Sequence, residues 1–171
     1  DLNGQLYEGV RQLRTLVVKG DYVLDVYQVL AQETHDFCWV THVDATSRDS
    51  EGNWLPYELP PESPWSFMLN PLKRESGGNR FGEEFQHKEE VFRLDVFSQT
   101  PFDIIQCGFP RGVRPEAGAI PMRMLHLEGE SALFAAVYRL GEECGRELSV
   151  TIEPSIAGSL LARLSIGGEE F

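Results

Sequence analysis

Cysteine is scarce in this 171-residue chain: Cys38, Cys107 and Cys144 stand far apart, with no C-x-x-C spacing among them. An odd count cannot close a disulfide framework, so the three read as packed or surface thiols. Basic residues are also few. Fifteen Lys and Arg face 27 Asp and Glu, a formal net charge of -12, and a phosphate polymer would meet a repulsive average field. Nucleic acid is therefore not an expected partner. Long apolar runs are missing as well. The longest covers residues 132–138, far short of the ~20 residues a membrane-spanning helix needs, so no membrane span is expected. There is no G-x-S-x-G and no glycine-rich phosphate loop opening a helix, which removes the nucleophile-elbow hydrolases and the common nucleotide-dependent mechanisms. No internal repeat of fixed period is visible. The sequence starts at Asp1 without a basic and apolar leader, as expected of a piece of a larger or processed protein.

What is present is an ordinary globular mixture, 42% hydrophobic and 25% charged, enough for one domain over residues 1–171. Residues 10–18 and 22–30 are β-branched and aromatic runs separated by Lys19-Gly20-Asp21, the pattern of a hairpin. Further strands are expected at residues 35–43, 65–69, 91–97, 103–107, 122–127, 133–140, 148–153 and 160–166. In residues 91–97 the apolar Phe92, Leu94 and Val96 alternate with Arg93 and Asp95, the period of a strand with one buried face. Residues 133–138 are apolar on both parities, which suits a central strand covered on both faces. Residues 46–64, with Pro56, Pro60, Pro61 and Pro64, read as a long loop; residues 73–82 and 109–118 read as two more, and Gly167 to Glu170 as a fraying end. About ten short antiparallel strands and no amphipathic helix imply an all-β, two-sheet sandwich.

The densest polar stretch runs from Thr34 to Asp44. As one strand it turns Asp36, Cys38, Val40, His42 and Asp44 to one face and His35, Phe37, Trp39, Thr41 and Val43 to the other. His42 and Asp44 are thus the candidate metal ligands, for a divalent ion such as zinc, although no third ligand is evident. The competing reading has His42 hydrogen-bonding across the sheet and Asp44 opening the next loop. His87 and His126 stand alone and read as core or surface histidines. Trp54, Tyr57 and Trp65 beside the prolines could stack on sugar rings, or else fold back to plug the sandwich edge. Lys73, Arg74 and Arg80 cluster in one loop, Arg111 and Arg114 in another. Such guanidinium forks suit carboxylate or sulfate, and they also pair readily with neighbouring Glu. Trp54, Tyr57, Arg111 and Arg114 are the candidate substrate contacts. The adjacent pairs Glu83-Glu84, Glu89-Glu90, Glu142-Glu143 and Glu169-Glu170 point to opposite sides of a strand, which argues against a glycosidase acid and base.

Leu6 to Val10, Arg14-Thr15-Leu16-Val17-Val18, Asp21 to Val29 and His35-Asp36-Phe37-Cys38-Trp39-Val40-Thr41-His42 together resemble the β-sheet region of heparinase II/III-like polysaccharide lyases. Ile120-Pro121-Met122 and residues 132–138 look like later strands of the same sandwich. The resemblance implies a secreted or periplasmic parent that cleaves uronic-acid polysaccharides by β-elimination. It also implies an N-terminal helical toroid as partner domain and polysaccharide as ligand. In that family the acting groups come from the toroid and from early strands not recognisable here, so no catalytic residue is transferred. Some relatives carry a metal in the sandwich. His42 is the position most like a ligand, with the remaining ligands expected upstream of Asp1.

Overall fold

A computed structural model describes residues 8–48, 53–75, 78–111, 118–154 and 160–170. The chain is an all-β sandwich organised by two long strands. β1 (Val10–Lys19) and β2 (Tyr22–His42) form the expected hairpin, with Lys19 opposite Tyr22. Gly20, at φ 55°, takes the first central position of the two-residue turn, where a primed hairpin requires left-handed backbone. β2 then pairs along its length with β9 (Ala119–Leu140). Four further strands complete the large sheet around them: β5 (Leu69–Glu75), β6 (Arg80–His87), β7 (Glu90–Ser98) and β8 (Asp103–Pro110), joined at the rims by β3 (Thr46–Ser47) and β4 (Leu55–Pro56).

The β2–β9 ladder breaks once. Leu30 faces Ser131 and His35 faces Gly129, so four residues of β2 bulge against one of β9. Such a bulge bends a strand. Before the bulge, β2 lies between β1 and the second half of β9, which continues to β7, β6 and β3; beyond it, β2 pairs only with the first half of β9, which continues to β8, β5 and β4. The two halves close on one another around a shared core. Phe37, Trp39, Ile104 and Leu125 from one half meet Val29, Phe81, Phe85, Leu94 and Phe134 from the other.

The outer faces are covered differently. β10 (Leu148–Pro154), β11 (Leu160–Ile166) and β12 (Glu169–Glu170) make a small antiparallel sheet whose Leu148 and Ile166 pack on Phe97 and Val137. On the opposite side Met68, Ile105, Cys107, Met122 and Met124 form a second cluster, closed by Tyr57, Leu59 and Trp65 from the proline-rich segment. Residues 132–137 are buried throughout, as expected of a strand covered on both faces.

Several boundaries differ from the sequence reading. The expected strands 22–30 and 35–43 are one strand, as are 122–127 and 133–140, because the bulge bends the ladder without ending it. Residues 65–67 form turns rather than a strand, and β5 starts at Leu69. The expected loop 73–82 holds the end of β5 and the start of β6. β3 and β4 lie inside the expected loop 46–64, and the expected fraying end pairs as β12. The expected loop 109–118 opens with the last residues of β8, and its residues 112–117 lie outside the described residues. Among the described residues one 3-10 helix is present, at Gly141–Gly145. Among the described residues no helix is long and apolar enough to cross a membrane.

Candidate functional site

Strand parity sorts the chemistry-bearing side chains. On the bent part of β2, Phe37 and Trp39 enter the core while Cys38 and Val40 pack on the outer methionine cluster. On β9, Leu125 and Leu127 go inward and Met122 and Met124 outward. His126 therefore shares the outer face with Asp36. Its Nε2 donates to Asp36 Oδ1 at 2.8 Å, and its Nδ1 lies 3.7 Å from Asp103 Oδ2. Asp103 in turn binds Lys73 Nζ at 2.7 Å, and that ammonium sits 5.1 Å from the centre of the Tyr57 ring. A polar row thus crosses four strands, β5, β8, β9 and β2, over the top of the methionine cluster.

Beside this row lies a groove of about 690 Å³, within the range of small-ligand sites (~300–1,000 Å³). Tyr57 and Trp65 form one wall, Tyr27 and Val29 of the hairpin another, and consecutive residues His35 to Cys38 at the bulge contribute the edge between them. Hydrogen bonds of the backbone hold the Tyr57 and Trp65 segment: Tyr57 N–H, just past the β4–β5 ladder, donates to Pro71 O at 3.0 Å, and in the turns that follow Trp65 N–H donates to Ser63 Oγ at 3.2 Å and Met68 N–H to Trp65 O at 3.0 Å. The aromatic wall is thereby set before any ligand arrives. Asp36 and Glu62 line the groove, whereas no Lys or Arg does so among the described residues.

The other candidate residues go elsewhere. Trp54 turns inward, against the main core, with Arg74 4.8 Å and Arg123 5.9 Å from its ring. Asp44 Oδ1 accepts from Arg111 at 2.8 Å, its backbone carbonyl lies 2.8 Å from His87 Nδ1, and the His42 ring sits edge-on to Phe109 at 5.1 Å. Among the described residues no group of three His, Cys, Asp or Glu side chains can hold a metal ion. His42 and Asp44 thus have no third ligand beside them among the described residues, and no chemistry is routed through a metal. Arg114 lies outside the described residues.

Sequence reasoning missed the buried ionic groups. Asp25 accepts both nitrogens of an Arg14 fork, at 2.9 and 2.6 Å, and the Trp39 indole at 3.3 Å. Asp95, fully buried, receives Arg80, Arg93 and Arg139. Arg123 crosses the core to Glu83, with 2.7 and 2.5 Å contacts. Both oxygens of each of these carboxylates are bound by guanidinium, a structural arrangement. Tyr138 donates to Thr41 Oγ1 at 2.8 Å, and burial pushes its phenol up. A phenol so shifted is a poor general base at neutral pH. The signal for these pairs was the polar residues interrupting apolar strands, but their partners depend on register.

Neither family models nor curated proteins give a match to this chain.

Proposed function

We propose that this chain is the β-sandwich portion of a heparinase II/III-like polysaccharide lyase, and that it holds glycan without cleaving it. The reading is supported by the resemblance carried on residues 6–42, most of which form the β1–β2 spine of the sandwich. The observation that carries the non-catalytic part is the groove itself. It offers aromatic walls and carboxylates, yet no Lys or Arg among the described residues to neutralise the uronate carboxylate whose α-proton must leave in β-elimination. In this reading the reacting groups, and the positive charge they need, belong to the toroid domain of a larger protein.

A second reading, a carbohydrate-binding module without any attached lyase, is favoured by the same preset pair Tyr57 and Trp65. One experiment tests the retention that both readings share. The chain is incubated with uronate polysaccharides while the ultraviolet absorbance of unsaturated product is followed, and its retention on an immobilised polysaccharide that alternates uronate with uncharged N-acetylhexosamine is measured alongside. Retention that weakens in Tyr57→Ala, without product, is expected. Product formation by the chain alone contradicts the assignment. Joining the chain to its upstream sequence separates the two readings, since only the lyase reading requires turnover to appear there.

A further inference from the structure

We infer that the groove between the hairpin and the proline-rich segment takes an uncharged sugar unit, a hexose or N-acetylhexosamine, and excludes a uronate. This rests on the reading of the chain as a glycan-holding sandwich and specifies what its groove selects. Four observations carry it. The volume, about 690 Å³, suits a ligand of one or a few rings. Tyr57 and Trp65 are half-buried and their backbone is held by hydrogen bonds to Pro71, Ser63 and Met68, so an apolar sugar face meets a wall whose main chain is already ordered. The polar lining consists of Asp36, Glu62, Gln12, Ser63 and the two imidazoles of His35 and His126, groups that exchange hydrogen bonds with hydroxyls and amides.

The fourth observation is electrostatic. Asp36 and Glu62 give the lining two formal negative charges with no Lys or Arg among its described residues. Lys73, the cation of the polar row, does not line the groove; its ammonium lies over the Tyr57 ring at 5.1 Å and is bound to Asp103 at 2.7 Å. A carboxylate or sulfate entering here would meet two carboxylates of its own sign at the solvent-facing rim of the groove, a repulsion that weakens with added salt, whereas a hydroxyl or acetamide would find acceptors. The chain's net charge of -12 adds a repulsive field of the same sign.

The test is calorimetric titration of the chain with neutral β-linked glucose and N-acetylglucosamine oligosaccharides and, separately, with oligogalacturonate of matched length. Saturable binding of a neutral oligosaccharide, weakened about tenfold in Trp65→Ala and unaffected by oligogalacturonate as competitor, supports the inference. Trp65 also packs on the methionine cluster, so Glu62→Lys, at an exposed position, serves as the second variant. It should admit oligogalacturonate while the neutral ligand still binds. Three results overturn the inference: oligogalacturonate occupying the unmodified groove with Trp65 sensitivity, absence of binding by every oligosaccharide, and neutral binding that ignores Trp65→Ala together with oligogalacturonate still excluded by Glu62→Lys. Binding is read here without turnover. Failure of a longer protein to cleave uronate would therefore remove the lyase reading and leave the groove result standing, and the converse also holds.

Discussion

Removing one partner of the Arg123–Glu83 pair should destabilise the sandwich far more than removing both. Arg123 leaves β9 and Glu83 leaves β6 from opposite halves of the bent sheet, and each side chain is only 4% exposed. The guanidinium is also flanked by the Phe85 ring at 5.5 Å and the Trp54 ring at 5.9 Å, so little water can reach either charge. Glu83→Gln keeps the shape and deletes the charge, leaving Arg123 buried without a counter-ion. Breaking such a pair costs about 3–5 kcal/mol. For a chain of this size that lowers Tm by roughly 6–20 °C. Arg123→Met should cost a similar amount for the mirror reason. The double variant Glu83→Leu with Arg123→Met strands no charge, and its stability should return to within about 1 kcal/mol of the parent or exceed it. Urea unfolding followed by tryptophan fluorescence measures all three, with an unchanged m-value as the sign that the unfolding reaction is the same. Single variants costing under about 1 kcal/mol, or a double variant as unstable as the sum of the singles, would refute the claim that this pair is buried and coupled.

Three further outcomes follow from the same structure. Trp54→Ala should lower stability by about 2–4 kcal/mol, because the ring packs on the core and covers Arg123, yet leave glycan retention intact; reduced retention by a fully folded variant would move the binding surface to Trp54. Burial pushes the Cys38 and Cys107 thiols up to about 11, so both should react slowly with alkylating reagents at neutral pH. The unfolded chain releases these protons at lower pH than the folded one, so their contribution to stability is complete below the ordinary thiol pKa and is lost as pH rises towards 11. Thermal unfolding of Cys38→Ser and Cys107→Ser across the alkaline range checks this by a flatter decline. Val18, 74% exposed on the β1 edge, should accept Val18→Lys within about 0.5 kcal/mol. The same change should reduce association at high concentration by charging an apolar strand edge, as light scattering would report.

How much of this was readable beforehand follows from which interactions are local. The β1–β2 hairpin was legible because Gly20 and the flanking β-branched runs carry the turn and both strands within twenty-one residues, 10–30. The face assignment of Phe37, Trp39, Cys38 and Val40 was legible because parity along one strand needs no partner. β6 was not, since Gly77, Gly78 and Gly82 beside Asn79 carry the composition of a loop. Gly82 is in fact a packing glycine: a Cβ there would come within 2.8 Å of Arg93 and Asp95 in the neighbouring strand, a constraint invisible without the pairing of β6 with β7. The polar row was hidden for the same reason. Asp36 and His126 are ninety residues apart, and only the β2–β9 register, offset by the bulge at residues 31–34, brings them within hydrogen-bonding distance. A ladder shifted by one residue would turn His126 into the core and take the groove's polar edge with it. The bulge therefore determines both the fold and the site: it bends two strands into a sandwich, and it sets the histidine beside the carboxylate on the outer face.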